Sequence, residues 1–117
     1  MVELPEAGTL ARIFIGENDR WKGKPLYEAL VLEARRRHLA GATVIKGSMG
    51  FGAASRLHTA KVLRLSGDLP IVVEIVDTEE KITAFLDECG DMVEGGLVTL
   101  EKVRVLHYRG HAKRESS

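Results

Sequence analysis

Apolar positions along this chain fall into strand-like and helix-like periods in an order that occurs twice. Leu10-Ala11-Arg12-Ile13-Phe14-Ile15-Gly16 is short, rich in β-branched and aromatic residues and closed by a glycine, which predicts a first strand. Pro25 then offers a fixed φ at a helix start, and Leu26, Tyr27, Leu30, Val31 and Ala34 follow at helical spacing, so a helix is predicted over about 25–40. Arg35-Arg36-Arg37-His38 fall in its last turns, where positive charge opposes the negative end of the helix dipole, and Gly41 supplies a left-handed stop. Ala42-Thr43-Val44-Ile45-Lys46 predicts a second strand and completes strand–helix–strand.

The same pattern returns downstream. Pro70-Ile71-Val72-Val73-Glu74-Ile75-Val76 is the clearest strand of the chain. Asp77-Thr78-Glu79-Glu80 reads as a capping box in which Asp77 is the N-cap and Glu80 its partner. Ile82, Phe85, Leu86, Cys89 and Val93 form one buried helical stripe, Gly95-Gly96 breaks the helix, and Leu97 through Tyr108 predicts a last strand with Val103 and Val105 on one face. Strand–helix–strand twice over is the split βαβ plan of α+β, ferredoxin-like folds, a four-stranded antiparallel sheet with both helices on one face. Ile13-Phe14-Ile15 and Ile71-Val72-Val73 are apolar on successive residues, hence on both faces of that sheet. Helices cover only one face, and the expected cover of the other is a second copy of the chain.

Composition narrows the function classes. The 117 residues suffice for one core, and 17 basic residues against 17 acidic ones exclude an overall electrostatic grip on nucleic acid. The single cysteine, Cys89, forms no internal disulfide, which fits a reducing cytoplasm, and no run of the ~20 apolar residues needed to enter and span a bilayer occurs. Charge is nevertheless partitioned. Between Ala42 and Gly67 there is no acid, but there are Lys46, Arg56, Lys61 and Arg64, with His58 among them. From Asp68 to Glu101 Lys81 is the only base among Glu74, Glu79, Glu80 and seven other acids. A basic segment of this kind points to an anionic ligand or an acidic partner, or else to pairing with the acidic second helix. It opens with Gly47-Ser48-Met49-Gly50-Phe51-Gly52, whose glycines let backbone N–H groups converge on an anion or simply loosen the loop. Neither a Walker loop nor a dinucleotide fingerprint is present.

The order Arg12-Ile13-Phe14-Ile15-Gly16-Glu17, Gly41-Ala42-Thr43-Val44 to Gly50-Phe51-Gly52, Leu57-His58-Thr59 and Asp68 through Asp77 resembles a prokaryotic subfamily of uncharacterised function in the PII-like signalling superfamily. The resemblance covers residues 10–108, leaving 1–9 as an N-terminal extension and 109–117 as a C-terminal tail. It implies a ferredoxin-like protomer, a homotrimer, and a long loop over 50–69 corresponding to the PII T-loop. In PII proteins an adenine nucleotide sits between subunits, held by the T-loop base, a glycine-containing B-loop and basic residues after the last strand. Carried over, these positions are Lys46, Gly47, Gly50, Phe51 and Gly52, then Gly95 and Gly96, then His107 and Arg109. The B-loop lysine of PII stands as Gly96 and one late arginine as His107, so fixed positive charge is reduced and an AMP- or ADP-type effector is expected over a triphosphate.

The resulting expectation is a non-enzymatic sensor with no required cofactor. An effector between subunits would alter the 50–69 loop, whose Arg56, His58, Lys61 and Arg64 face a protein partner such as a membrane transporter or an enzyme. Two other classes stand beside it. Cys89 with His107, or His58 with Glu17 or Asp19, would supply nucleophile or general-base chemistry in a small enzyme. His107 and His111 would bind metal in a trimer similar to the copper-tolerance proteins. Trp21, between the first strand and first helix, is expected to anchor its loop by packing.

Overall fold

The computed structural model describes residues 6–50 and 68–108 of the chain. Its elements in order are β1 (Ala7–Gly16), β2 (Arg20–Trp21), β3 (Lys24–Pro25), α1 (Leu26–Arg36), β4 (Ala42–Lys46), β5 (Pro70–Asp77), α2 (Glu79–Glu88) and β6 (Leu97–Arg104). The main sheet is antiparallel with strand order β4-β5-β1-β6, the ferredoxin-like arrangement that the doubled pattern predicts. Register assigns the faces. Ala11, Ile13 and Ile15 lie opposite Ile75, Val73 and Ile71, and all six are buried beneath Leu26, Leu30 and Ala34 of α1, Ile82 and Phe85 of α2, and Cys89 just after it. Both helices therefore occupy one face.

The other face is uncovered. It carries Leu10 opposite Val76 and Phe14 opposite Val72, flanked by the exposed Ile45 of β4 and Leu97 of β6. At its centre Arg12 donates to Glu74 at 3.0 Å and to Glu101 at 2.8 Å, an ion triad joining three strands. Phe14 and Val72 are the residues that made their strands apolar on both sides.

Several local expectations are corrected. β1 begins at Ala7, three residues before the apolar run, because Gly8 fits against Val103 and Val105, where a Cβ would come within 3.0 Å of Val105 Cγ2. Residues 7–9 thus belong to the sheet. Helix α1 stops at Arg36, and the left-handed residue after it is His38 at φ 61°, not Gly41. Asp77 is not the cap of α2. It ends β5 on the buried register, 1% exposed, and its carboxylate accepts from Ala40 N at 2.8 Å and from its neighbour Thr78 N at 2.6 Å. Thr78 caps the helix instead, accepting from Lys81 N. α2 ends at Glu88, so Val93 packs against the core from the following turns rather than from the helix. β6 ends at Arg104, whose guanidinium pairs with Glu6. The unpredicted β2–β3 ribbon turns through Lys22 (φ 49°) and Gly23 (φ 87°), two successive left-handed residues of a tight hairpin. It sets Trp21 against the core, with Lys22 Nζ 5.6 Å from its ring centroid.

Candidate functional site

Three strand ends meet where the described chain leaves β4 and resumes at β5. β4 delivers Lys46 and Gly47, β5 begins at Pro70, and β1 ends at Gly16 opposite Pro70. Gly47 N donates to Pro70 O at 2.8 Å, and a Cβ on Gly47 would stand 2.8 Å from Pro70 Cγ. Gly50, at φ 153°, faces the same proline at 3.1 Å. Both glycines are thus demanded by the close approach of Pro70, and Gly50 also by its backbone conformation. The returning strand is fastened to β1: Glu17 N donates to Leu69 O at 2.8 Å and Asn18 N to Asp68 Oδ1 at 3.2 Å. Asp19 closes the turn by accepting from Gly16 N at 2.9 Å.

Lys46 is not a free cation. Its ammonium lies 2.8 Å from Glu17 Oε2, with the lysine side chain 52% exposed and the glutamate 24%. That ammonium, seconded by the Leu69 backbone amide, holds the Glu17 carboxyl below the usual carboxylate range. Nothing in the sequence pattern pairs Glu17 with Lys46, because Glu17 follows its strand in a turn and carries no periodic signal.

Gly95 and Gly96 lie at the same end of the sheet but two strands away from β5, at the start of β6. Gly95 has open space around its Cα, whereas a Cβ on Gly96 would meet Phe14 O at 2.6 Å. Gly96 therefore packs against β1 and offers no room for the side chain that PII proteins carry there.

His107 is not brought to this cluster. It lines an open concavity of about 420 Å³ on the uncovered face, with Leu10, Thr43, Glu74, Val76 and Tyr108, near the start of β4. Tyr108 Oη donates to Ala40 O at 3.3 Å, which ties residues beyond β6 to the opposite edge of the sheet. Lys46 lies four residues along β4 from Ala42, roughly 13 Å away at strand rise, and shares its register with the helix-covered Ile71. Phe51, Gly52, Arg56, His58, Lys61, Arg64, Arg109 and His111 fall outside the described residues.

The nucleophile reading of Cys89 is corrected. Its thiol is buried among core residues, burial raises its pKa, and the sheet separates it from His107 on the other face. The arginine triplet is largely structural: Arg36 and Arg37 pair with Glu33, and Arg37 reaches Glu88 of α2 at 2.6 Å. Among the described residues, no cluster of three or more His, Cys, Asp or Glu could hold a metal ion, and no helix is long and apolar enough to cross a membrane.

The profile of the DUF190 family (Uncharacterized ACR) matches residues 8–105. The chain belongs to this family. A UPF0166 protein of Aquifex aeolicus is 43% identical over 98 residues, 84% of this chain and 92% of that protein. A UPF0166 protein of Methanocaldococcus jannaschii is 30% identical over 102 residues, 86% and 92% of the two chains. Among solved structures, CPII, a nitrogen regulatory PII-like protein from Thiomonas intermedia bound to ADP, AMP and bicarbonate, superposes with a TM-score of 0.65 at 16% identity. That match covers 86% of this chain and 90% of CPII. The apo form of CPII gives 0.58 at 15% identity, over 85% and 91% of the chains. This DUF190 chain thus has the PII-like fold.

Proposed function

We propose that this DUF190 protein is a PII-like regulator that binds an adenine nucleotide of the AMP or ADP type between copies of itself, as a homotrimer. It passes the bound state through its 50–69 loop to a protein partner, a membrane transporter or an enzyme. The observation that carries the reading is the division of the nucleotide-site positions. Lys46, Gly47 and Gly50 gather at the loop root, while His107 stands at the other end of β4 on the uncovered face. Ligand contacts of both kinds then require two chains. The apolar Leu10, Phe14, Val72 and Val76 supply the face on which a second copy would sit. CPII, which shares the fold, holds ADP and AMP.

Reduced fixed charge at the root supports the smaller nucleotides, since Gly96 leaves no room for a phosphate-gripping side chain and Lys46 is already paired. Thermal unfolding of the purified protein with AMP, ADP or ATP tests the proposal, with light scattering to give the assembly mass. A nucleotide at ~100 times Kd adds about 2.7 kcal/mol of stability, and Lys46→Ala should weaken binding roughly tenfold by removing a charge-assisted contact. Absence of any shift at millimolar nucleotide, or a stable monomer at micromolar concentration, overturns it.

A further inference from the structure

We infer that Glu17 sets the charge preference of the loop-root site, because an incoming phosphate must share or displace the carboxylate that already occupies Lys46. The inference rests on the nucleotide reading and adds a residue that neither the resemblance nor the glycine spacing assigns to the site. Four observations bear on it. Glu17 Oε2 lies 2.8 Å from Lys46 Nζ, so the carboxylate stands where a phosphate oxygen would approach that cation. Its other oxygen, Oε1, is shut off from solvent and has no hydrogen-bond partner among the described residues, so losing Lys46 would leave the carboxylate with the Leu69 amide as its remaining described support. The Glu17 backbone is held by its bond to Leu69 O, which fixes the carboxylate beside the start of β5. Two further acids stand at the same junction: Asp19 accepts from Gly16 N, and Asp68 accepts from Asn18 N. The Lys46 charge is therefore already matched by Glu17 before a ligand arrives.

The Glu17 carboxylate beside Lys46 opposes each added phosphate charge. A ligand exchanging one carboxylate for one phosphate at Lys46 meets a modest penalty, and the penalty grows from AMP to ADP to ATP. Glu17 is in this sense a selectivity residue, acting through Lys46 and through repulsion.

Titration calorimetry of AMP, ADP and ATP without divalent metal, on wild type and Glu17→Gln, tests the inference. The ATP-to-AMP affinity ratio should rise about tenfold in Glu17→Gln, as expected for removing one charge several ångströms from two extra phosphate charges. Glu33→Gln, which removes the same charge from α1, should leave the ratio unchanged. Glu17→Ser must move the ratio in the same direction as Glu17→Gln, which separates loss of charge from altered packing if either variant is poorly folded. A wild type that binds nucleotide while both Glu17 variants keep its ratio overturns the role of Glu17 and leaves the nucleotide reading standing. A wild type that binds no nucleotide, with Glu17→Gln gaining ATP binding, supports Glu17 as the opposing charge. If neither protein binds any of the three, both the nucleotide reading and this inference fall.

Discussion

Two adjacent glycines give a sharp separation between a ligand cradle and a packing constraint. Gly95→Ala places a methyl group in open space, and Gly96→Ala places one 2.6 Å from Phe14 O and 3.0 Å from Ile15 Cγ2. Carbon and carbonyl oxygen rest at roughly 3.3 Å or more, so β6 would have to retreat by about 0.7 Å where Leu97 faces Phe14. The oxygen belongs to backbone, which cannot rotate aside as a side chain would. Overpacking of this kind costs about 1–3 kcal/mol, and loosening the adjacent ladder hydrogen bond adds about 1 kcal/mol. Restricting the unfolded chain returns about 0.4–1 kcal/mol, the term that alone applies to Gly95→Ala. The net expectation for Gly96→Ala is a loss of about 2–3 kcal/mol, or about 10–20 °C in melting temperature for a domain of this size. Gly95→Ala should melt at or slightly above the wild type. Scanning fluorimetry at one fixed protein concentration reads both, since the melting temperature of the proposed assembly would depend on concentration. A Gly96→Ala protein melting within 2 °C of wild type would refute the argument that packing against β1 demands glycine at this position.

Asp77→Ala should cost about 2–4 kcal/mol, since it strips the charged acceptor from Ala40 N and Thr78 N and leaves a buried strand end unfilled; hydrogen exchange at the Ala40 amide should speed up, and an unchanged rate would count against the clip. Glu33 is held at about 2 by Arg36 and then Arg37, below the unfolded carboxylate value. Its stabilisation is therefore full above about pH 4.5 and lost as pH falls through about 2, and solvent screening keeps it to about 1 kcal/mol or less. Between these pH values wild type should lose more melting temperature than Glu33→Gln, and parallel curves would remove Glu33 from the account.

The sheet and its helices were legible because their signals are periodic and repeated. Ile71, Val73 and Ile75 alternate with residues of the other face, and Leu26, Leu30 and Ala34 mark one side of α1. What escaped prediction was decided by partners distant in sequence. Asp77 and Thr78 are both good capping residues, and the choice fell to Thr78 because Asp77 stood on the buried register, where the Ala40 amide claimed it. The β2–β3 ribbon has strands too short to show a period, and its Lys22-Gly23 turn lacks the asparagine that usually announces such a hairpin. At the candidate site Gly47 and Gly50 were visible within a glycine cluster, but their reason, Pro70, lies far downstream in sequence. The charge partition suggested pairing of the 42–67 segment with the acidic second helix, whereas the pairs seen, Arg37 with Glu88 and Lys46 with Glu17, each have one member outside that partition.

The placement of Lys46 and His107 at opposite ends of β4, and on opposite faces, has a genetic corollary. Under the proposal that one chain's root and another chain's far end hold the nucleotide together, damage at either end disables every site of a uniform assembly. In a mixed assembly the defects segregate. Where the sound root of one chain meets the sound far end of another, a fully competent site is rebuilt, and the junction of the two damaged ends is doubly dead. Two alleles, each inactive alone, would therefore complement one another when expressed together, as a mosaic of intact and silent sites rather than a uniform weakening.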